Sequence, residues 1–264
     1  MAIYTGSFPI TGKLGDFIAY KRKDSDKIFI RGVGGVSKNR IRTDPNFVNT
    51  RRNNAEWKAV TLAGRAIRMA LTDIHHLRDH NYTGERNALA KLILKEDKIS
   101  EWGKRSIHFS NAAHILEGFS LNKRHLFETL LRPPLSYSVD SLAGKATVIL
   151  PELIPSVNLY NPSQQSLYRF TCSVAAITDI IYDEALKIYR PAIDNLPFPT
   201  TAATPWQSWK ENTPGTTLDL AMNNWQHIPG ITLILSAGIE FGKPTTGGEI
   251  IYARNSGAGK VLKM

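Results

Sequence analysis

Ile231-Thr232-Leu233-Ile234-Leu235-Ser236-Ala237-Gly238-Ile239-Glu240-Phe241 sets the expected fold of this chain. Ile231, Leu233, Leu235, Ala237, Ile239 and Phe241 share one side of an extended backbone, and the residues between them are mixed. Tyr168, Phe170, Cys172, Val174 and Ala176 alternate in the same way with Arg169, Thr171, Ser173 and Ala175. Period two predicts half-buried strands. Shorter candidates at 146–150, 185–189, 218–221, 249–253 and 260–262 bring the count to about seven over roughly 130 residues, the profile of an antiparallel, immunoglobulin-like β-sandwich. The four prolines of 191–205 predict a long loop there.

Upstream of Pro133-Pro134 the pattern changes. Residues 16–20 and 27–33 are β-rich and flank the polar Asp24-Ser25-Asp26, which predicts a hairpin ended by Gly32-Val33-Gly34-Gly35. Residues 37–42 are basic with little to bury and read as a connector. Thr43-Asp44-Pro45 is a helix start, since Thr or Asp can accept from free first-turn amides and Pro lacks the donor not needed there. The helix should run from Pro45 to about Leu71, with Val60, Ala63, Ile67 and Leu71 on one stripe and Arg51, Lys58 and Arg65 opposite. Ala88, Leu89, Leu92 and Ile93 predict a second helix over 85–95, and 110–116 a third. The class is therefore α+β: an N-terminal hairpin arm (1–36), a basic helical region (37–132) and a β-sandwich domain (133–264).

Charge follows this division. Residues 1–132 hold 24 Lys and Arg against 13 Asp and Glu, a surplus of eleven positive charges, whereas residues 133–264 hold 9 against 10. A one-sided positive field favours anionic partners, from nucleic acid to an acidic protein surface. No apolar run approaches the roughly 20 residues of a spanning helix, so no transmembrane segment is expected. The start of the chain has no basic stretch followed by an apolar core, so residence in the cytoplasm is the default, with signal-less export left open. The single cysteine, Cys172, removes any disulfide framework.

The chemistry-bearing motifs thin out on inspection. Gly257-Ala258-Gly259-Lys260 fails as a phosphate loop, because Arg254 stands where a glycine is needed and Val261 where Ser or Thr is needed. His76 and His80 would share a helix face and form a weak metal candidate, with no further ligand nearby, so neither metal nor cofactor is expected. No Gly-x-Ser-x-Gly elbow occurs, and Cys172 falls on the apolar face of a strand. The carboxylate pairs Glu96-Asp97 and Asp183-Glu184 read as solvated turns. Lys38, Arg40, Arg42, Arg51, Arg52, Lys58, Arg65 and Arg68, interleaved with asparagines, are candidates for anion or nucleic-acid binding. Trp206, Trp209 and Trp225, in loop-rich sequence, are candidates for an interaction surface.

Gly12-Lys13-Leu14-Gly15-Asp16-Phe17, the stretch Thr43-Asp44-Pro45 with Phe47 and Thr50-Arg51-Arg52-Asn53-Asn54-Ala55-Glu56, Gly118-Phe119-Ser120-Leu121-Asn122 and Gly238-Ile239-Glu240-Phe241 together resemble a group of uncharacterised proteins abundant in Bacteroidetes. The resemblance implies one architecture across most of the chain and lends no functional residue. The reading that follows is a non-enzymatic protein that associates with copies of itself through the N-terminal arm and the sandwich edges. A nucleic-acid-binding protein using residues 38–68 is the alternative, and a carbohydrate- or protein-binding β-sandwich module the second.

Overall fold

A computed structural model describes residues 2–6 and 8–264; Met1 and Ser7, both within the expected arm, lie outside the described residues. The chain folds as two compact units, residues 1–51 and 52–264.

The first unit is a four-stranded antiparallel sheet. β1 (Ala2–Tyr4), β2 (Gly12–Leu14), β3 (Phe17–Lys21) and β4 (Ile28–Gly32) lie in the order β1-β4-β3-β2. β3 and β4 form the expected hairpin, with Tyr20 opposite Phe29 and Ala19 opposite Ile30. The outer strands, three residues each, are too short for alternation to show. Residues 37–42, expected as a connector, instead largely form α1 (Lys38–Thr43). Apolar patterning could not signal it, because α1 buries none of its residues. Its order comes from polar ties. Ser37 caps the Arg40 amide at 3.2 Å, and the Arg51 guanidinium donates to the Ile41 and Asp44 carbonyls at 2.8 Å each. Asp44 then caps a 3-10 turn, Pro45–Phe47, leading into α2 (Val48–Ala70).

In the second unit α2 buries Val60, Ala63 and Ile67 of the expected stripe together with Ala59, and Leu71, the fourth of that stripe, is buried just past its end. α3 (Thr83–Glu96) turns Ala90, Ile93 and Leu94 inward and leaves Leu92 half exposed, a rotation from the expected face. The third expected helix is a 3-10 segment, Ser110–Ile115, broken at Ala112, and a short α4 (Phe127–Leu130) follows. Beyond it come β5 (Ser136–Asp140), β6 (Lys145–Leu150), β7 (Leu167–Thr178), β8 (Ile180–Asp183), β9 (Ile188–Pro191), β10 (Thr200–Ala203), β11 (Gln207–Ser208), β12 (Thr216–Ala221), β13 (Ile231–Pro244), β14 (Ile250–Tyr252) and β15 (Ala258–Lys263). The strand expected at 185–189 is mostly the turn between β8 and β9, and the loop expected at 191–205 contains β10.

All these pairings are antiparallel. β7 and β13 form the centre of a six-stranded sheet, paired from Thr178 opposite Ile231 to Leu167 opposite Gly242, with β10 and β11 beyond β7 and β14 and β15 beyond β13. Tyr168, Phe170, Cys172, Val174, Leu233, Leu235, Ile239 and Phe241 share an apolar cluster with Ala146, Val148 and Leu150 of β6 and Leu218 and Leu220 of β12. β12, β6 and β5 form a separate three-stranded sheet.

The opposite face overturns the half-buried expectation. Thr171, Ser173, Ser236 and Glu240 are buried there, and Ala175, Ile177, Ile234 and Val261 join Val60, Ile67, Ile74, Ile93 and Leu94 in a second core. Helices roof this face, so residues 52–132 share one compact unit with the sheet instead of forming a region separate from 133–264. Small residues allow the approach. A Cβ on Gly238 would stand 2.3 Å from Leu77 Cδ1, and one on Gly259, its cross-strand partner, 2.6 Å from Leu121 Cδ1. Asn122, inside the Gly118–Asn122 motif, ties the layers by donating to the Leu77 and Gly257 carbonyls (2.7 and 3.2 Å) and accepting from the Gly259 amide at 2.8 Å.

At Gly257 a Cβ would meet the Ile239 carbonyl oxygen at 2.3 Å, a backbone atom that cannot rotate away. Gly257→Ala should therefore destabilise the fold by about 2 kcal/mol or more. Gly247→Ala, whose nearest neighbour would be Thr245 Oγ1 at 3.9 Å, should stay within about 0.5 kcal/mol of the wild type in the same urea titration.

Candidate functional site

The eight basic candidates separate into engaged and free groups. Arg51 is committed to carbonyls, Arg40 pairs with Asp44 at 3.0 Å, and Arg52 donates to Glu101 at 3.3 Å with its guanidinium 5.6 Å from the Trp102 ring centre. These side chains act on their own neighbourhood. Lys38, Arg42, Lys58, Arg65 and Arg68 are exposed. Glu56, four residues after Arg52, is buried and accepts from Arg105 Nε and Nη2 at 2.7 Å each and from the Gly103 amide at 2.9 Å.

The three tryptophans do not share a surface. Trp209 packs on Tyr168 and Phe241, at 5.8 and 6.2 Å between ring centres, on the inter-sheet face. Trp225 donates from Nε1 to the Ser141 and Leu142 carbonyls at 3.1 and 3.2 Å, closing over the turn between β5 and β6. Trp206 lies on the other face of the sheet, with the Arg169 guanidinium 4.6 Å from its ring centre.

His76 and His80 are also separated. α2 ends at Ala70, and the 3-10 turn His75–Leu77 places Arg78 in extended backbone, so the two histidines share no helix. His80 bonds Asp79 at 2.6 Å and Glu85 at 3.0 Å. Among the described residues no group of three or more His, Cys, Asp or Glu side chains is placed to hold a metal ion.

What sequence reasoning missed is the polar cluster between the helices and the sheet, which gathers His76 and Trp206 around one carboxylate. Glu240, 2% exposed, faces Arg169 across the β7–β13 ladder and accepts from its Nε and Nη2 at 3.0 and 2.9 Å. Thr171 donates to it at 2.7 Å, and His76 Nε2 stands 3.4 Å away. Burial pushes this carboxyl upward, but the hydrogen bonds from His76, Thr171 and Arg169 prevail and hold it below the ordinary range. One turn earlier, Asp73 accepts from Ser173 at 2.7 Å and from Thr201. The signal available in sequence was the charged Glu240 inside the otherwise uncharged run 231–242 of β13. Every strong acceptor in this cluster is occupied, so the carboxylates act as ties between layers. Burial pushes the Cys172 thiol up to about 12, which leaves it inert as a nucleophile.

The two carboxylate pairs read as solvated turns also organise backbone. Asp183 accepts from the Ala185 and Leu186 amides, both at 3.0 Å. Asp97 accepts from the Ile99, Ser100 and Ser106 amides at 3.0, 2.9 and 2.8 Å. No family model, curated protein or solved structure matches this chain.

Two measurements test these ties. Glu240→Gln keeps the shape but removes the charge that Arg169 meets, and should cost about 2–3 kcal/mol in urea unfolding. At Asp97 burial raises the carboxyl, yet the Ser100, Ser106 and Ile99 donors outweigh it and hold it at about 2, below its ordinary 3.8. A depressed folded pKa contributes stability that is present above the ordinary value and lost as pH falls toward 2. Asp97→Asn should therefore trail the wild type by about 1–2 kcal/mol near neutral pH and converge on it between pH 4 and 2, followed by urea midpoints.

Proposed function

We propose that this chain is a non-enzymatic interaction protein that associates with copies of itself through its N-terminal sheet. The observation that carries the reading is the poverty of that sheet's core. Among the described residues of 1–51 only Ala19 is a buried apolar residue, while Leu14 and Phe17, directly paired across β2 and β3, are 50% and 57% exposed. Ile30 lies on the same face, since it pairs with Ala19 two residues along from Phe17. A sheet of this size needs an apolar face covered to be stable. Every copy carries the same half-covered face, with Leu14 and Phe17 left exposed, so a two-fold pairing satisfies both partners at once, and pairing along strand edges would extend the contact into a filament.

The β-sandwich expectation enters here in reduced form. The shared apolar layer between β6, β12 and the β7–β13 face supports an immunoglobulin-like pair of sheets with helices on one outer side. A cytoplasmic setting belongs to the same reading, and a single buried cysteine with no disulfide suits a reducing compartment. Among the described residues no helix is long and apolar enough to cross a membrane.

The face is small, so total burial near the lower end for specific complexes, about 1,200 Å², and micromolar affinity are expected. Untagged protein should scatter light as an oligomer at high micromolar concentration in both low and high salt. Leu14→Asp with Phe17→Asp should give a monomer in which the unfolding transition of the second unit is retained. A wild-type chain that stays monomeric throughout overturns the proposal.

A further inference from the structure

Three arginines from three successive segments act electrostatically on the hydrogen-bonded pair Tyr82 and His75, and Arg78 Nη1 stands 3.5 Å from the His75 carbonyl oxygen. Arg68 lies in the last turn of α2, Arg78 directly follows the 3-10 turn His75–Leu77, and Arg86 lies in the first turn of α3. None of the three forms an ion pair with a carboxylate among the described residues. Arg86 is the exceptional one: it is only 8% exposed, its Nε is buried without a hydrogen-bond partner, and its guanidinium carbon lies 5.8 Å from the Tyr82 ring centre. At Gly64 of α2 a Cβ would stand 2.2 Å from Asn87 Oδ1, itself a buried acceptor without a partner, and 3.2 Å from that Nε.

The surroundings supply no counter-charge. The nearest carboxylates are already committed: Asp79 to the Lys123 and Arg124 amides and His80, Glu85 to His80 and Lys123. Tyr82 is buried, and its hydroxyl meets His75 Nδ1 at 2.5 Å. Burial, with the charges of Arg78, Arg68 and Arg86, holds His75 below its ordinary pKa, so its ring is neutral at pH 7. The same three arginines act on the Tyr82 phenol, against the burial that raises its pKa.

A buried guanidinium without an anion is among the costlier arrangements in a protein, and a tyrosine face offsets only part of it. We propose that Arg68, Arg78 and Arg86 form a binding site for a tetrahedral oxyanion, either free phosphate or the phosphoryl group of a small phosphomonoester, with Arg86 at its floor. Donors arriving from three segments suit a tetrahedral group better than a planar carboxylate, which a single guanidinium fork would satisfy. Arg68 and Arg78 are exposed, so an anion can reach them from solvent.

The test is calorimetric titration and thermal unfolding of the full chain with inorganic phosphate, phenyl phosphate and, at equal ionic strength, sodium chloride. A saturable response to phosphate beyond that to chloride supports the site. Tighter binding of phenyl phosphate assigns the phosphomonoester source, and a response to phosphate alone assigns the free ion. Arg78→Gln, an exposed change that should leave folding intact, should weaken binding about tenfold, the loss of one charge-assisted hydrogen bond. Arg86→Gln should abolish it and Arg86→Lys retain part. The proposal is overturned if neither phosphate compound exceeds chloride, or if Arg78→Gln binds as the wild type does; this second variant decides the matter should Arg86→Gln fail to fold.

Discussion

The antiparallel ladder between β7 and β13 is the element on which the rest of the second unit depends. It pairs twelve successive positions, and nearly all of its side chains are buried on both faces. One face carries large apolar groups and meets β6 and β12; the other mixes glycine, alanine, serine and threonine with Ile177, Ile234 and the Arg169–Glu240 pair and meets helices. The two faces differ because their neighbours differ in thickness. A second sheet stands about 10 Å away and needs bulky side chains to fill the space, whereas a 3-10 turn pressed onto Gly238 and Gly259 leaves no room for a Cβ.

Bringing helices onto a strand face traps polar groups, and the structure meets this with matched donors. Glu240 is satisfied by Arg169 and Thr171, Asp73 by Ser173 and Thr201, and Asp179 by His108 Nδ1 at 2.9 Å and the Phe109 amide at 2.8 Å. Each pair links a helical or loop residue, or a neighbouring strand, to a fixed place on the sheet, so a sliding of layers would strand a buried charge. Groups committed in this way are poor candidates for chemistry. Arg86 is the contrasting case, a largely buried cation to which the fold brings an aromatic face and no carboxylate.

The N-terminal sheet obeys a different balance. Its strands pair fully, yet it buries almost no side chain, and cations stack on its aromatic residues, with Arg22 4.5 Å from the Phe29 ring centre and Arg31 5.6 Å from that of Tyr20. Backbone pairing and such surface contacts do not replace apolar burial as a source of stability. A covering partner is the physical remedy, which is why association is read from this unit and not from the well-packed second one.

Local rules were enough for part of this molecule. The alternation along 168–176 and 231–241, the hairpin around Asp24-Ser25-Asp26 and the cap at Asp44-Pro45, which opens a 3-10 turn three residues ahead of α2 where the helix itself was expected, are properties of residues close in sequence. What covers a face is not such a property. Ser173, Ser236 and Gly238 look the same whether they meet water or a helix, and α1 is held by Arg51 reaching back to carbonyls rather than by any apolar stripe. Only tertiary packing brought the charges of Arg68, Arg78 and Arg86 to bear on Tyr82 and set Glu240 against Arg169 and His76, because contacts between distant segments depend on which layers stack, and stacking is decided by the volume and charge of all the faces together.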